Sequence, residues 1–229
     1  MADRQLVLDL PHRPAQGRED FLVAASNADA VAWIDRWPGW QGGSLVLYGP
    51  KGCGKSHLAE VWRSRSGAHL FDSSELTRSK VPDIAAAGSV ILNHAEAVPD
   101  DVALLHLINL LRQDGGALLC LSLQAPGHWL VRLADLRSRL AAMQSVGIAE
   151  PDDPLLGAVM LKLLSDRQLR APIEVISFLV PRIERSFAAA NLVVALLDRL
   201  AAGERRPISI ALARKALAEI PEIRDTGQQ

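Results

Sequence analysis

Cysteine, aromatic residues, net charge and long apolar runs are all scarce in this chain, and each scarcity excludes something. Two cysteines, Cys53 and Cys120, among 229 residues are too few for a disulfide framework, so a reducing interior is expected. A formal charge of −1 gives no bulk attraction for nucleic acid, and any link to DNA should be local or pass through a partner. No apolar stretch approaches the roughly 20 residues that cross a bilayer. Met1-Ala2-Asp3-Arg4 opens without the cationic and apolar blocks of a signal peptide. A soluble, cytoplasmic protein with no membrane contact is the expectation. Aromatics make up only 4% of the chain, and the scattered tryptophans at 33, 37, 40 and 62 read as core. No repeat, zinc-ligand spacing or Ser/His/Asp constellation occurs, so the isolated histidines read as structural.

What is present begins with Gly49-Pro50-Lys51-Gly52-Cys53-Gly54-Lys55-Ser56, followed by His57. It fits the phosphate-loop pattern G-x-x-x-x-G-K-S/T without a departure. The apolar Ser44-Leu45-Val46-Leu47-Tyr48 before it reads as a buried strand, and His57-Leu58-Ala59-Glu60-Val61-Trp62 after it begins a helical pattern. Glycines let the backbone turn tightly enough for several N–H groups to converge on one anion. The helix N-terminus adds its partial positive charge. Lys55 would then reach the β- and γ-phosphates, and the Ser56 hydroxyl would join a Mg²⁺ shell.

Around this loop the chain reads as α/β. Asn27 reads as the N-cap of a helix running to about Arg36, and further short strands are expected at 68–72, 89–92, 117–122 and 145–148. Ser73-Ser74-Glu75-Leu76 looks like a helix start, and helices are expected over about 102–111 and 133–143. Glu150-Pro151-Asp152-Asp153-Pro154 marks a boundary, after which the texture turns helical: about 155–169, 173–180, 183–202, and 209–220 with Ser209 as cap. Phe21-Leu22-Val23 either lines an adenine pocket or begins the core. The expected organisation is an N-terminal arm over 1–20, a nucleotide-binding α/β domain over 21–150 and a helical appendage over 151–229.

The arm has its own pattern. Gln5-Leu6-Val7-Leu8-Asp9-Leu10 is an apolar island, and the polar stretch after it carries Pro11 and Pro14 and reads as a linker. Two readings stand side by side. One is an edge strand added to the sheet; the other is a docking peptide, with Leu6, Leu8 and Leu10 entering partner pockets and Gln5 adding a directional hydrogen bond.

Two features bear on catalysis. A P-loop ATPase should end its third strand in an acidic pair, one carboxylate for the Mg²⁺ shell and one to polarise water. Here the pair is Asn93-His94, and Glu96 lies two residues too far on, so binding without efficient turnover is expected. Asp135-Leu136-Arg137-Ser138-Arg139-Leu140 offers two arginines on one helix. An isolated arginine there is ordinarily solvated or paired, but an oligomeric P-loop ATPase needs one that faces a neighbour's nucleotide. Arg185 could fold back to the phosphates or remain a surface arginine. Ser122 could touch the γ-phosphate region or merely cap its loop.

In order and spacing these pieces resemble the AAA+ module of the replication initiator DnaA, and more closely its short homologues, the Hda-type regulators that inactivate DnaA. The resemblance covers nearly the whole chain. Gly54-Lys55-Ser56-His57-Leu58 resembles the family's phosphate loop, and residues 135–140 its box VII, whose arginine finger falls on Arg139. Glu184-Arg185-Ser186-Phe187 resembles the sensor II stretch, and residues 5–10 the Q-L-x-L-x-L sliding-clamp motif. The resemblance implies a parallel AAA+ sheet sandwiched by helices with a small all-helical lid, bound ADP or ATP with Mg²⁺, and a homodimer as one assembly. It implies DnaA and the β sliding clamp of DNA polymerase III as partners, with DNA reached only through the clamp. The function it implies is stimulation of DnaA-bound ATP hydrolysis by Arg139, which prevents re-initiation. The sequence departs from the family at Asn93-His94 and at Leu121, where sensor I usually has a polar residue. A helicase or clamp loader, an initiator accessory factor, a small-molecule kinase and a non-enzymatic scaffold are the competing readings. Asn93 weighs against the loader, and the lack of acid/base residues after 151 weighs against the kinase.

Overall fold

The computed structural model describes residues 22–204 and 207–220; the peptide 5–10 lies outside them. The apolar segments become strands β1 (Ser44–Tyr48), β2 (His69–Asp72), β3 (Ser89–Asn93), β4 (Ala117–Ser122) and β5 (Gln144–Gly147). They form one parallel sheet in the order β2-β3-β4-β1-β5. The central strand β4 and its neighbour β1 are covered on both faces and therefore read as apolar runs. Edge strand β2 is the most exposed, with Leu70 58% accessible.

The period of two along each strand divides the core. Leu45 and Leu47 of β1, with Leu119 and Leu121 of β4, face α1 (Ala28–Asp35) and α2 (Lys55–Ser66). Val46, Leu118 and Cys120 face the opposite layer, built by α3 (Val81–Ala85), α4 (Asp101–Gln113) and α5 (Ala134–Ala142). Trp62 anchors the first layer with no exposed surface, stacked on Trp40 at 5.0 Å and met edge-on by Trp37 at 6.1 Å. The expectation of tryptophans in the core holds fully for 40 and 62; Trp33 and Trp37 are only partly buried against it.

Beyond residue 152 the helices α6 (Asp153–Asp166), α7 (Ile173–Leu179), α8 (Phe187–Glu204) and α9 (Ile210–Glu219) pack around a separate apolar cluster. Asp152 and Ser209 cap α6 and α9 through their side chains. The expected α/β sandwich with a helical lid is the fold observed. Several local expectations are corrected. Asn27 occupies the N-cap position without capping; its buried amide accepts from Ala24 N–H and donates to the Leu22 carbonyl instead. Ser73–Glu75 is a single 3-10 turn, and the helix comes only at Val81. The long helix expected from 183 begins at Phe187: Ile183 is extended, and the Phe187 N–H is taken by the Gly52 carbonyl.

Candidate functional site

The chain leaves β1 at Tyr48, turns through residues 49–54 and enters α2 at Lys55. Gly52 (φ 74°) and Gly54 (φ 105°) hold left-handed conformations that side chains rarely adopt. Space forbids a side chain there too: a Cβ on Gly52 would lie 2.5 Å from the Ser186 Cβ, and one on Gly54 3.0 Å from the Phe187 ring. The loop is thus covered by the start of α8. Phe187 N–H donates to the Gly52 carbonyl at 2.9 Å, and Ser186 caps α8 by accepting from Ala189 N–H. Sequence reasoning missed this contact. Two glycines packed so near lysine signal a close approach, but not the segment that makes it.

Lys55 folds its ammonium onto the loop, donating to the carbonyls of Gly49 at 2.6 Å and Pro50 at 2.8 Å. Its Nζ also lies 3.8 Å from the Cys53 Sγ. Burial pushes the Cys53 thiol up, against the opposing pull of Lys55. Lys51 and Ser56 are exposed at the loop, and His57 is half-buried in the first turn of α2. That first turn carries no acidic residue, while Arg63 and Arg65 sit at its far end. The helix therefore presents an uncompensated positive end to the loop.

At the ends of β3 and β4 the catalytic acids are replaced by structure. His94 takes a left-handed conformation (φ 52°), and its Nδ1 lies 2.8 Å from the Asp72 Oδ2 at the end of β2. In the sheet order β2 flanks β3 on the side away from β4 and β1, so His94 is drawn away from the phosphate loop. The His94 hydrogen bond, helped by the Ser74 hydroxyl and amide, holds the Asp72 carboxyl down at about 2. Glu96 accepts from Leu123 N–H at 3.1 Å and so ties β3 to β4. Leu121 is buried in the core, and Ser122 donates to the Gln124 carbonyl at 2.6 Å, the loop-capping role.

The arginines separate clearly. Arg137 donates to the Val131 carbonyl at 3.0 Å, in the loop that precedes α5. Arg139 is exposed on α5 and makes no hydrogen bond or ion pair among the described residues. Arg185 lies 2.9 Å from Asp153 Oδ1, both half-exposed, one residue before the Ser186-Phe187 contact with the loop. The structure brings residues 49–57 together with Ser186 and Phe187; Arg139 stands apart on its own surface.

No protein-family model matches the chain. It is 28% identical to the chromosomal replication initiator protein DnaA of Thermomicrobium roseum, over 88% of this chain and 49% of that protein. The chain therefore spans about half the length of the curated relative it matches. Domain III of the Thermotoga maritima replication initiation protein DnaA superposes with a TM-score of 0.77 at 17% identity, covering 91% of this chain and 98% of that one. DnaA from Aquifex aeolicus bound to AMPPCP gives 0.68 at 16% identity, covering 82% and 68%. The fold is that of the AAA+ domain of DnaA. Among the described residues no helix is long and apolar enough to cross a membrane.

Proposed function

We propose that this chain is an adenine-nucleotide-binding regulator of replication initiation that supplies an arginine to ATP held by a DnaA molecule. The observation that carries the reading is Arg139, exposed on a helix and without a hydrogen bond or ion pair among the described residues. An unpaired guanidinium at this place suits charge stabilisation in trans. The chain's own hydrolytic apparatus is correspondingly poor. Asn93 offers a neutral oxygen where a carboxylate usually joins the metal shell, and His94 is engaged by Asp72.

Residues 49–57 would hold the phosphates of ADP or ATP, with the lid over 151–229 closing on the base over 21–150. Likeness to DnaA that binds AMPPCP supports an adenine nucleotide. Mg²⁺ would reach Ser56 together with the phosphates. Arg185 is within the same segment as Ser186 and would leave Asp153 to meet a phosphate. The arm over 1–20 would tether the protein to the β sliding clamp of DNA polymerase III through Gln5, Leu6, Leu8 and Leu10. DNA is then reached only through the clamp. Work in the cytoplasm follows from these partners, and a homodimer is one assembly compatible with the reading.

The test is hydrolysis of ATP preloaded on DnaA, followed with DNA-loaded clamp, with and without this protein. Faster conversion to ADP is expected, lost when residues 5–10 are deleted. An unchanged rate would overturn the reading. The second reading, an initiator accessory factor that binds DnaA without stimulating it, would show association in the same mixture and no acceleration.

A further inference from the structure

Leu133 stands at the N-cap position of α5 and makes no side-chain cap there. A helix that begins without a cap takes its direction from whatever else accepts the N–H groups around that end. Here the acceptor belongs to another helix. Asp101, in the first turn of α4, accepts from the Arg132 N–H at 2.7 Å and from the Leu133 N–H at 2.9 Å, both on the single oxygen Oδ2. Its neighbour Asp100 is engaged elsewhere: it caps α4 through the Val102 N–H and accepts two N–H bonds from Arg78. One carboxylate of the pair therefore closes the start of α4 and the other holds the start of α5. The Asp101 charge also sits at the positive end of the α5 dipole, where it is favoured.

The other polar contacts along this stretch are internal to it. The Trp129 indole N–H donates to the Gln124 carbonyl at 2.9 Å, and Arg137 donates to the Val131 carbonyl at 3.0 Å. They shape residues 124–137 without fixing where the segment sits on the domain. Leu136 and Leu140, four positions apart, bury one face of α5 in the core. Apolar burial is non-directional, so it holds the helix down without setting its tilt. The Asp101 bonds cross from α4 to α5 and are directional. Arg139 makes no hydrogen bond or ion pair among the described residues, so its aim is inherited from the α5 backbone.

We propose that Asp101 is the positioning residue for Arg139. This rests on the reading that Arg139 acts on ATP held by a DnaA molecule, and it adds the group that aims it. Arg139 lies six residues beyond Leu133, roughly 9 Å along the helix, so a tilt of about 10° at that end carries it about 1.5 Å. Misplacement by about 1 Å can cost ~10²-fold in rate.

Single-turnover hydrolysis of ATP preloaded on DnaA, with DNA-loaded clamp, tests this at rising concentrations of wild type, Asp101→Ala, Asp101→Asn and Arg139→Ala. Circular dichroism and a thermal shift with ADP check that each variant folds. Asp101→Ala is expected to lower the saturating rate by about tenfold or more while the half-saturating concentration stays within about threefold of wild type. Asparagine keeps an acceptor oxygen for the two N–H groups and should restore most of that rate. An alanine variant as fast as wild type overturns the proposal. So does a loss confined to the half-saturating concentration, or an asparagine variant as slow as alanine. Failure of the underlying reading looks different: wild type and Arg139→Ala are then alike, and the role of Asp101 falls with it.

Discussion

His94 and Asp72 join the ends of two neighbouring strands through one 2.8 Å contact between Nδ1 and Oδ2. The histidine stands where a P-loop ATPase places the residue that polarises water, yet its ring is turned to the edge strand. Restoring acids should therefore matter more than freeing the ring. We predict that the double substitution Asn93→Asp, His94→Glu raises intrinsic ATP turnover by about tenfold or more, since a placed base contributes ~10²–10⁴ in rate. Asp72→Asn alone should leave turnover low. A steady-state phosphate-release assay checks both, and wild-type turnover at ordinary ATPase rates would contradict the account.

The same pair makes stability depend on pH in a stated direction. The folded-state carboxyl of Asp72 titrates near 2, below its unfolded value of about 3.9. Its contribution is therefore fully present above about pH 4 and is lost as pH falls toward 2. Denaturant midpoints of wild type and Asp72→Asn should differ at pH 7 and converge as the pH drops through that window.

Gly52 is where the phosphate loop meets the start of α8. An alanine there combines a left-handed backbone with a Cβ 2.5 Å from that of Ser186. Gly52→Ala should cost about 1–3 kcal/mol and weaken nucleotide binding, because the loop must shift to relieve the contact. Urea denaturation and a thermal-shift titration with ADP read the two effects. In the same titration Lys55→Ala should lose the ADP response while keeping its stability without nucleotide.

The two cysteines should be inert while the protein is folded. Burial pushes the Cys120 thiol up to about 12 and raises that of Cys53, so neither offers much thiolate near neutral pH. Mass spectrometry after iodoacetamide at pH 8 should show no label on native protein and two labels after unfolding. Rapid native labelling of Cys53 would mean that the loop opens far more often than its packing implies.

Much of the fold was legible because local signals agree. The runs 44–48 and 117–122 are apolar on both faces, as inner strands of a parallel sheet must be, and the phosphate-loop pattern places its own strand and helix. The separation of Arg139 from Arg137 was not legible. It depends on whether a guanidinium finds a carbonyl, here Val131, in a loop whose path no spacing rule fixes. Asp72 as the partner of His94 was hidden for the same reason, since the two lie 22 positions apart and meet only through strand pairing. The late start of α8 at Phe187 was missed because residues 183–186 are helical in composition, whereas Ile183 is extended and Ser186 and Phe187 are held against Gly52.

The central claim is that this chain's arginine acts on a triphosphate it does not itself hold. A single turnover of ATP preloaded on DnaA, with DNA-loaded clamp present, tests it directly by comparing wild type with Arg139→Ala. Wild type should accelerate hydrolysis; the variant should lose that acceleration, by as much as ~10³-fold for an arginine finger, while binding ADP as before. Equal stimulation by Arg139→Ala would contradict the account.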